Sequence, residues 1–336
     1  MRSAIFVGAG HSMIIEERPI PVPAAGQALI RVERCGICGS DLHMTSGSPF
    51  DVPHGTVLGH EYAGEVVEVG PGGSRLKPGE RVTALPMSAC GSCAWCIADA
   101  PLHCPQFRSM AGGYGEYTLV DERMVLRLPA SLSFVDGALV EPLACGLRAM
   151  RKLAISPGAR VAVIGAGAIG AASIFWARRF GAGSIVAIAR SRRGEALVGT
   201  VGADGLVQTG EGLAERLGAA LGGEPDIVIE AAGAPGTLQQ ATELVRKGGS
   251  ILSLGGCITP DTIVPLLAMW KEVRFLFSVA YGKADFREAL DTLDAGAVTP
   301  RAMVGETIAL DDLPQRFEAM RSGSHAAKVM VAPQPG

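Results

Sequence analysis

Four of the eight cysteines in this 336-residue chain lie close together, with the spacing of a metal site. The first three are separated by two residues each and the fourth follows after seven more: Cys90, Cys93, Cys96 and Cys104. Four thiolates complete a tetrahedral zinc site without a position for water or substrate, so such a site holds a loop rather than performing a reaction. The spacing favours zinc over four unconnected thiols, and it leaves an iron–sulfur cluster open as an alternative.

A second set of side chains mixes thiol, imidazole, carboxylate and hydroxyl groups and predicts a catalytic centre. Its candidates come from the runs CGICGSDLHM, GHE and EPLA: Cys38, Ser40, Asp41, His43, His60, Glu61 and Glu141. A mixed ligand set can keep an exchangeable position for a substrate oxygen, which four thiolates cannot. Taken singly, His60 also fits a core histidine, and Cys35 with Cys38 fits a redox pair. The redox pair would leave the other groups without a role.

The stretch VAVIGAGAIGAA predicts a dinucleotide-binding turn between an apolar strand and a helix. Gly165, Gly167 and Gly170 form the pattern G-x-G-x-x-G, and Ala168 and Ile169 lie between them. The first glycine permits a tight turn, the second lets the backbone approach a pyrophosphate, and the third lets the helix pack closely on the strand. A turn that only packs is the alternative, and the flanking strand and helix favour binding.

The acidic residue that binds the ribose of NAD is missing from the end of the next strand. Its position falls at Ala189, and the residues that follow are basic or hydroxylic: Arg190, Ser191, Arg192 and Arg193. A carboxylate there would repel a 2′-phosphate, whereas guanidinium and hydroxyl groups bind one. The sequence therefore favours NADP(H) over NAD(H), with an exposed basic loop that binds no ligand as the alternative.

The elements that position these groups follow two patterns along the chain. To about residue 150, short runs rich in Val, Ile and Tyr alternate with Pro- and Gly-rich turns, which predicts an antiparallel β-barrel followed by a helix from Ser133. From Gly158, apolar strands alternate with helices, which predicts a parallel doubly wound sheet. We expect an α/β protein with a catalytic domain of 1–150 and 285–336 and a dinucleotide-binding domain of 151–284.

The composition argues against several classes of function. Lys and Arg number 30 against 33 Asp and Glu, and no basic block is long enough for a nucleic-acid surface. No apolar run reaches the length of a membrane span, and Glu16 and Glu17 interrupt an N-terminal stretch too short for a signal peptide. We expect a cytoplasmic protein without nucleic-acid or membrane partners. In a reducing compartment, clustered cysteines bind metal more often than they form disulfides.

Together the motifs resemble one family over nearly the whole chain. CGICGSDLH, GHEYAGEVVEVG, the four-cysteine segment, EPLA, GAGAIG and the closing KVMV are similar to motifs of the zinc-dependent medium-chain dehydrogenase/reductases, the alcohol and polyol dehydrogenase superfamily. Glu61 and EPLA are closer to sorbitol and butanediol dehydrogenases than to liver-type alcohol dehydrogenases. The resemblance implies a GroES-like barrel completed by the C-terminal segment, a Rossmann domain in the middle, and a homodimer or homotetramer.

The resemblance implies two zinc ions per chain. Cys38 and His60 would hold a catalytic ion, with Glu61 as the third ligand or alternating with water. Glu141 would hold the same ion directly or through its water. The four-cysteine segment would hold a structural zinc ion, which removes the iron–sulfur alternative.

Around the catalytic ion, the resemblance assigns the remaining polar groups. Asp41 would orient His60, Ser40 would take the hydroxyl proton, and His43 would relay that proton towards solvent. Cys35 matches no ligand position, and two further cysteines are expected to be buried thiols: Cys145 and Cys257.

The activity implied is the reversible oxidation of a secondary alcohol, such as a diol, polyol or cyclic alcohol, to its ketone. Hydride passes to or from a nicotinamide cofactor. A threonine-type amino-alcohol dehydrogenase shares the two-zinc arrangement and is the alternative within the family. A non-catalytic zinc protein that binds nucleic acid is the alternative from another class, and the charge balance argues against it.

Overall fold

The computed structural model describes residues 1–47, 49–323 and 327–334. Its strands, in chain order, are β1 (Arg2–Ile5), β2 (Ile14–Glu17), β3 (Gln27–Gly36), β4 (Glu61–Val69), β5 (Arg81–Ala84), β6 (Met87–Ser88), β7 (Arg108–Ser109), β8 (Tyr117–Asp121), β9 (Val125–Arg127), β10 (Arg160–Ile164), β11 (Ser184–Ala189), β12 (Gly205–Gln208), β13 (Ile227–Glu230), β14 (Ser250–Ser253), β15 (Arg274–Phe277), β16 (Val304–Ala309) and β17 (Lys328–Ala332).

Its α-helices, in chain order, are α1 (Gly39–Met44), α2 (Ala94–Ile97), α3 (Phe134–Lys152), α4 (Ala168–Arg179), α5 (Glu195–Thr200), α6 (Leu213–Leu221), α7 (Thr237–Leu244), α8 (Pro265–Trp270), α9 (Lys283–Asp294) and α10 (Leu313–Arg321). Among the described residues, none of the helices combines the length and the apolarity that a bilayer crossing requires.

The chain divides into two compact units. One comprises Met1–Ala144 with Tyr281–Gly336, and the other comprises Cys145–Ala280. The sequence placed these boundaries at 150/151 and 284/285, and the first change of unit falls inside α3. Residues 324–326 and 335–336 of the predicted C-terminal segment lie outside the described residues.

The main sheet of the first unit is centred on β3. Its strand order is β16-β17-β3-β4-β5-β9, and β8 also pairs with β3. The pairs are antiparallel, as the sequence predicts, except that β16 and β17 run parallel. Parallel neighbours need a crossover connection, and α10 provides it between these two strands.

The pairing of β3 with β4 determines where the catalytic candidates lie. Gly36, the last residue of β3, lies opposite Glu61, the first residue of β4. The chain reaches Cys38 two residues after β3, and His60 directly precedes β4. Neighbouring strands lie about 5 Å apart, so this register brings together side chains that are distant in sequence.

The C-terminal segment returns to the first unit through β17. This strand pairs antiparallel with the end of β3, with Met330 opposite Gly36 and Val331 opposite Cys35. Lys328, at the start of β17, therefore lies beside the chain that leaves β3 towards α1. The predicted return of the C-terminal segment is observed here.

A buried apolar cluster joins α10 to this sheet. Large members of the cluster are Ile30, Val32, Tyr62, Val66, Tyr114, Leu313 and Phe317. Burying a side chain of this size stabilises the fold by about 1.5–3 kcal/mol. The cluster therefore ties the C-terminal helix to the strands that position the catalytic candidates.

The second unit is built on the parallel sheet that the sequence predicts. Its strand order is β12-β11-β10-β13-β14-β15, and all five pairs are parallel. Val161, Ala162 and Val163 on β10 are fully buried, so both faces of this strand are covered. Along the chain, β11 and β12 are added on one side of β10, and β13 to β15 are then added on its other side. Ligands of such sheets bind beside this point, at the carboxyl ends of the strands.

Two expectations about cysteines are wrong. Cys145 and Cys257 are both partly exposed rather than buried. Cys257 lies in the loop after β14, where its Sγ atom is 3.3 Å from the carbonyl oxygen of Thr259. Cysteine is a small apolar residue that often packs in cores, but the place of each residue in the fold decides its burial, and Cys145 lies in α3 whereas Cys257 lies in a loop. Cys35 is fully buried and packs as a small apolar side chain.

Candidate metal centres and nucleotide turn

The four-cysteine segment brings its sulfur atoms together in the loop that connects β6 to β7, two short strands that pair with each other. Cys90 follows β6, Cys93 is the N-cap of α2, Cys96 lies within α2, and Cys104 precedes β7. The four Sγ atoms all lie within 4.8 Å of one another. Two of the separations are 3.8 Å, from Cys90 to Cys96, and 3.6 Å, from Cys93 to Cys96. A tetrahedral zinc ion with Zn–S bonds of about 2.3 Å separates its sulfurs by about 3.8 Å, so these residues fit the ion.

Backbone N–H groups surround these sulfur atoms. The amides of Ser92 and Cys93 donate to Cys90 Sγ at 3.5 and 3.3 Å, and these donors lower the pKa of Cys90 to about 6. Burial, together with the neighbouring thiols, instead raises the pKa of Cys96 to about 12. Several thiolates this close repel one another, so a cation is needed for all four to be ionised together.

Two ionic side chains outside the cysteines hold the loop, and neither was predicted from the sequence. Arg123 donates to the carbonyl oxygens of Ala89 at 2.7 Å and Cys90 at 3.3 Å. Asp99 accepts from the amides of Lys283 and Ala284, at 2.7 and 2.9 Å, at the start of α9. The four-cysteine loop therefore caps a helix that lies almost two hundred residues further along the chain.

The second centre forms where β3 ends and β4 begins. Ligand atoms of Cys38, His60 and Glu61 all lie within 4.8 Å of one another. Cys38 is the N-cap of α1, and Glu61 is fully buried at the start of β4. A Cβ atom on Gly36 would lie 2.0 Å from Glu61 Oε2, so a glycine is required opposite this carboxylate. One sulfur, one nitrogen and one oxygen ligand are a set that zinc accepts at a catalytic site.

Asp41 and Ser40 complete the surroundings of His60. Asp41 Oδ1 lies 3.1 Å from His60 Nδ1, which leaves Nε2 as the atom available to a metal. Ser40 Oγ lies 3.4 Å from that Nε2 atom and 3.2 Å from Cys38 Sγ. Burial alone would lower the pKa of His60, but the charges of Asp41 and Cys38 raise it well above its ordinary value. The sulfur, the imidazole and the hydroxyl thus converge on one point.

The Glu61 carboxylate is paired with a lysine that was not predicted from the sequence as a site residue. Lys328 Nζ lies 2.7 Å from Oε1 and 2.6 Å from Oε2, and both side chains are buried. Burial would lower the pKa of Lys328, but the Glu61 charge raises it above its ordinary value. The sequence could have indicated this pair, because the lysine begins the otherwise apolar strand KVMVA and a buried charge needs a partner.

Glu141 lies in the interior of α3, where EPLA continues the helix, rather than at a helix start. It is buried, and it is not among the three residues whose ligand atoms converge. Burial raises the pKa of Glu141 to about 7, while His60 lowers it and Glu61 raises it. Glu141 therefore shares the electrostatic environment of the other groups and is easily protonated near neutral pH.

His43 lies one turn along α1 from Ser40 and is half-buried. Burial, and then the charge of Arg321, lowers its pKa below the ordinary value, so the imidazole is neutral at pH 7 and can accept a proton. Arg321 also donates to the carbonyl oxygen of Leu42 at 2.8 Å and to Thr45 Oγ1 at 2.8 Å. This arginine from α10 therefore holds the C-terminal end of α1.

The glycine turn in the second unit joins β10 to α4. Gly165 has a φ of 109°, a conformation that favours glycine, and a Cβ on Gly170 would lie 1.9 Å from the Gly165 carbonyl oxygen. Gly167 is the N-cap of α4, and a Cβ there would meet none of the described atoms within 4 Å apart from those of its own local backbone. Ala168 and Ile169 begin the helix, where backbone N–H groups lack partners within the helix. The turn thus leaves open space in front of a helix N-terminus.

The basic loop begins where β11 ends, at Ala189, as the sequence predicts. Arg190, Ser191, Arg192 and Arg193 are all exposed. Arg192 Nε lies 2.7 Å from Glu195 Oε2, so this guanidinium is engaged within the loop. Glu230 was not predicted from the sequence as a site residue. It is buried at the end of β13, where it accepts from the amides of Ala232 and Gly233, both at 2.8 Å, and shapes the neighbouring turn.

Two family models match the chain, one in each part of it. The model described as alcohol dehydrogenase GroES-like domain matches residues 24–130, and the model described as zinc-binding dehydrogenase matches residues 168–295. Among curated proteins, a sorbitol dehydrogenase from Halalkalibacterium halodurans is 30% identical, with 97% of each chain covered.

Solved structures agree with the sequence matches. A zinc-binding dehydrogenase from Sinorhizobium meliloti 1021, in a structure bound to NADP, has a TM-score of 0.87 and 32% identity, and 99% of each chain is covered. The 2R,3R-butanediol dehydrogenase of Bacillus subtilis has a TM-score of 0.87 and 30% identity, again with 99% of each chain covered.

Proposed function

Because the chain belongs to the zinc-dependent medium-chain alcohol and polyol dehydrogenases, we propose that it interconverts a secondary alcohol of the diol or polyol type and its ketone, with NAD(P)(H) as the hydride carrier. The observation that carries the proposal is the convergence of Cys38, His60 and Ser40 on one point. A thiolate and an imidazole suit a metal there, and the hydroxyl suits a proton acceptor beside it.

Cys38, His60 and Glu61 would hold the catalytic zinc ion, with Glu141 close by. When bound, zinc supplies a Lewis acid that favours the ionised form of a substrate hydroxyl near neutral pH. Ser40 takes the proton of that hydroxyl and passes it to His43, whose neutral imidazole accepts it. Because Lys328 contacts both oxygens of Glu61, the lysine would give this carboxylate a partner whenever the metal does not hold it.

The four-cysteine loop would hold a second, structural zinc ion. The separations of its sulfur atoms and their backbone N–H donors support that assignment. This ion would stabilise the loop and, through Asp99, the start of α9. It makes no contact with a substrate, because four thiolates leave it no open position.

We propose that the protein prefers NADP(H) and that Arg190 binds the 2′-phosphate of this cofactor. Arg190 is exposed directly after β11, whereas Arg192 is already paired with Glu195. Ala189→Asp combined with Arg190→Leu should move the preference towards NAD(H) by about ten- to a hundredfold, since a charge-assisted bond to phosphate is worth about 1.5–3 kcal/mol. The measurement is the ratio of kcat/KM for the two cofactors at low ionic strength. Arg287→Leu, at an exposed position of α9, controls for the loss of one positive charge, and a native preference for NAD(H) would refute the proposal.

We propose a homodimer or homotetramer whose subunits pair through the edge of the parallel sheet. β15 is an edge strand of this sheet, and large apolar side chains on and beside it are exposed: Leu266, Met269, Trp270, Phe277 and Val279. An unpaired strand edge with an apolar surface pairs readily with a second copy. Light scattering should show a dimer or tetramer, which Phe277→Glu dissociates. The control Val22→Glu, at another exposed apolar residue, should leave the assembly intact.

A substrate screen tests the activity directly. Secondary alcohols, diols, polyols and amino alcohols would be offered to the zinc-loaded protein with NAD⁺ and with NADP⁺, and reduced cofactor would be followed by absorbance. We expect turnover of diols or polyols. Turnover of an amino alcohol alone would favour the threonine-type alternative, and the absence of any cofactor reduction would contradict the proposed activity.

A further inference from the structure

A chain of hydrogen bonds reaches the proposed metal ligand His60 from a tyrosine that no motif points to. Tyr114 Oη donates to Asp41 Oδ2 at 2.5 Å, and Asp41 Oδ1 lies 3.1 Å from His60 Nδ1. The amide of Cys38 also donates to Asp41 Oδ2, at 3.3 Å. One carboxylate thus contacts two of the proposed metal ligands, Cys38 and His60, and the tyrosine hydroxyl is its nearest donor.

The direction of each bond follows from the chemistry of the groups. Burial lowers the acidity of the phenol, and the negative charge of Asp41 adds to this, so the pKa of Tyr114 lies well above its ordinary value and the phenol remains a donor. An ionised carboxylate only accepts, so His60 Nδ1 must carry the hydrogen that faces Asp41. His60 Nε2 then keeps its lone pair for a metal.

Backbone hydrogen bonds and close packing fix the position of the Tyr114 ring. Its amide donates to the carbonyl oxygen of Leu58 at 3.0 Å, and its carbonyl oxygen accepts from the amide of Ala4 at 2.8 Å. A Cβ atom on Gly59, the residue before His60, would lie 2.6 Å from the ring. The ring also makes an edge contact with Phe317, with centroids 6.5 Å apart, and is fully buried. The hydroxyl is therefore a fixed donor rather than a rotating one.

We propose that Tyr114 is a positioning residue for the catalytic metal centre: its hydroxyl fixes the Asp41 carboxylate in the orientation that directs His60 Nε2 towards the metal. This inference rests on the proposed function, because it assumes that Cys38 and His60 bind zinc. Tyr114 touches neither substrate nor cofactor and acts through Asp41. Without the hydroxyl, Asp41 Oδ2 would keep the longer bond from the Cys38 amide, and the carboxylate could rotate away from the imidazole.

Tyr114→Phe removes only the hydroxyl, and the chain offers a matched control. Tyr62 is also buried and donates to the carbonyl oxygen of Met110 at 2.9 Å, so Tyr62→Phe likewise removes one tyrosine hydrogen bond but leaves Asp41 untouched. Zinc affinity would be measured on the purified full-length protein by competition with a chelator. The same variants, loaded with Co²⁺, would be compared by the visible absorption of the metal and by kcat and KM.

Tyr114→Phe should weaken binding of the exchangeable zinc ion by about tenfold, as the loss of groups that orient metal ligands commonly does. It should change the Co²⁺ spectrum and lower kcat with little change in the KM for the cofactor, while the ion at the four cysteines stays bound. Tyr62→Phe should lower thermal stability without changing the affinity or the spectrum.

The outcomes separate this inference from the proposed function. If the native protein binds no exchangeable zinc besides the four-cysteine ion, the proposed function fails. If the native protein binds the exchangeable zinc ion, and Tyr114→Phe matches Tyr62→Phe in zinc affinity and in the Co²⁺ spectrum, the positioning role is refuted. A loss of both ions together in Tyr114→Phe would assign the hydroxyl to folding and would refute the role as well.

Discussion

The two candidate metal centres of the first unit are assembled in opposite ways. The four cysteines come from one continuous loop, and backbone N–H groups of that loop surround their sulfurs. The second centre takes Cys38 from the end of β3 and His60 and Glu61 from the start of β4, and it adds Lys328 from the C-terminal strand. A local cluster depends on spacing along the chain, whereas the second centre depends on the register of three strands.

The two centres also differ in how they handle charge. The loop gathers like charges that only a cation can neutralise, and nothing in its ligand set would exchange. The second centre buries a carboxylate and gives it a lysine partner, so Glu61 has an alternative to the metal. The comparison assigns stability to the first centre and turnover to the second, and the following substitutions test that assignment.

The largest effect is expected from the metal ligands themselves. Cys38→Ser or His60→Ala should nearly abolish turnover while the folded protein retains the four-cysteine ion. Cys93→Ser should instead lower stability and solubility, because the loop loses a closed metal site. Turnover, zinc content and thermal unfolding would be measured on each variant. A Cys93→Ser protein with native stability would remove the difference between the two centres.

A large loss of stability is expected from Lys328→Met. In protein from which a chelator has removed the exchangeable ion, this change leaves the fully buried Glu61 carboxylate without its partner, which destabilises a fold by about 3–5 kcal/mol. Adding Glu61→Gln removes the unpaired charge and should recover much of that loss. Urea unfolding of the two variants measures the difference, and equal stability of the single and double variants would contradict the coupling.

Ser40→Ala should lower turnover about a hundredfold and leave both zinc ions bound, because a positioned proton acceptor contributes at least that much. His43→Ala should have a smaller effect, since water can replace a half-buried imidazole. The kcat of both variants is measured under conditions where hydride transfer limits the rate. A lower kcat with a deuterated substrate would show that this condition is met. Native turnover in Ser40→Ala would remove this hydroxyl from the mechanism.

The smallest effect is expected at Asp99, which joins the four-cysteine loop to α9. Asp99→Gly suits the backbone, whose φ is 53°, but removes the carboxylate that caps the helix, at a cost of about 1 kcal/mol. Asp99→Asn keeps an acceptor at the same position and should lose less. Unfolding free energies measure this, and kcat should be unchanged in both variants. A change in kcat would mean that the loop affects the catalytic centre.

The sequence predicted best where the chemistry is local. The four-cysteine spacing, the glycine pattern and the end of β11 at Ala189 lie within short segments, and the structure places each segment as expected. The alternation of strands and helices predicted the parallel sheet for the same reason. The absence of an acidic residue at the end of β11 could also be recognised from the sequence, because this position is counted from the nearby glycine turn.

The sequence determined which groups the chain could bring to a metal or a cofactor, because residue type and short spacing are local properties. Only the tertiary structure decided which groups meet. Glu61 pairs with Lys328 across 267 residues, and Asp41 accepts from Tyr114 across 73 residues. Cys145 and Cys257 are partly exposed, although they were expected to be buried. These outcomes depend on strand register and on packing around buried polar groups, which long-range contacts determine and residue spacing does not encode.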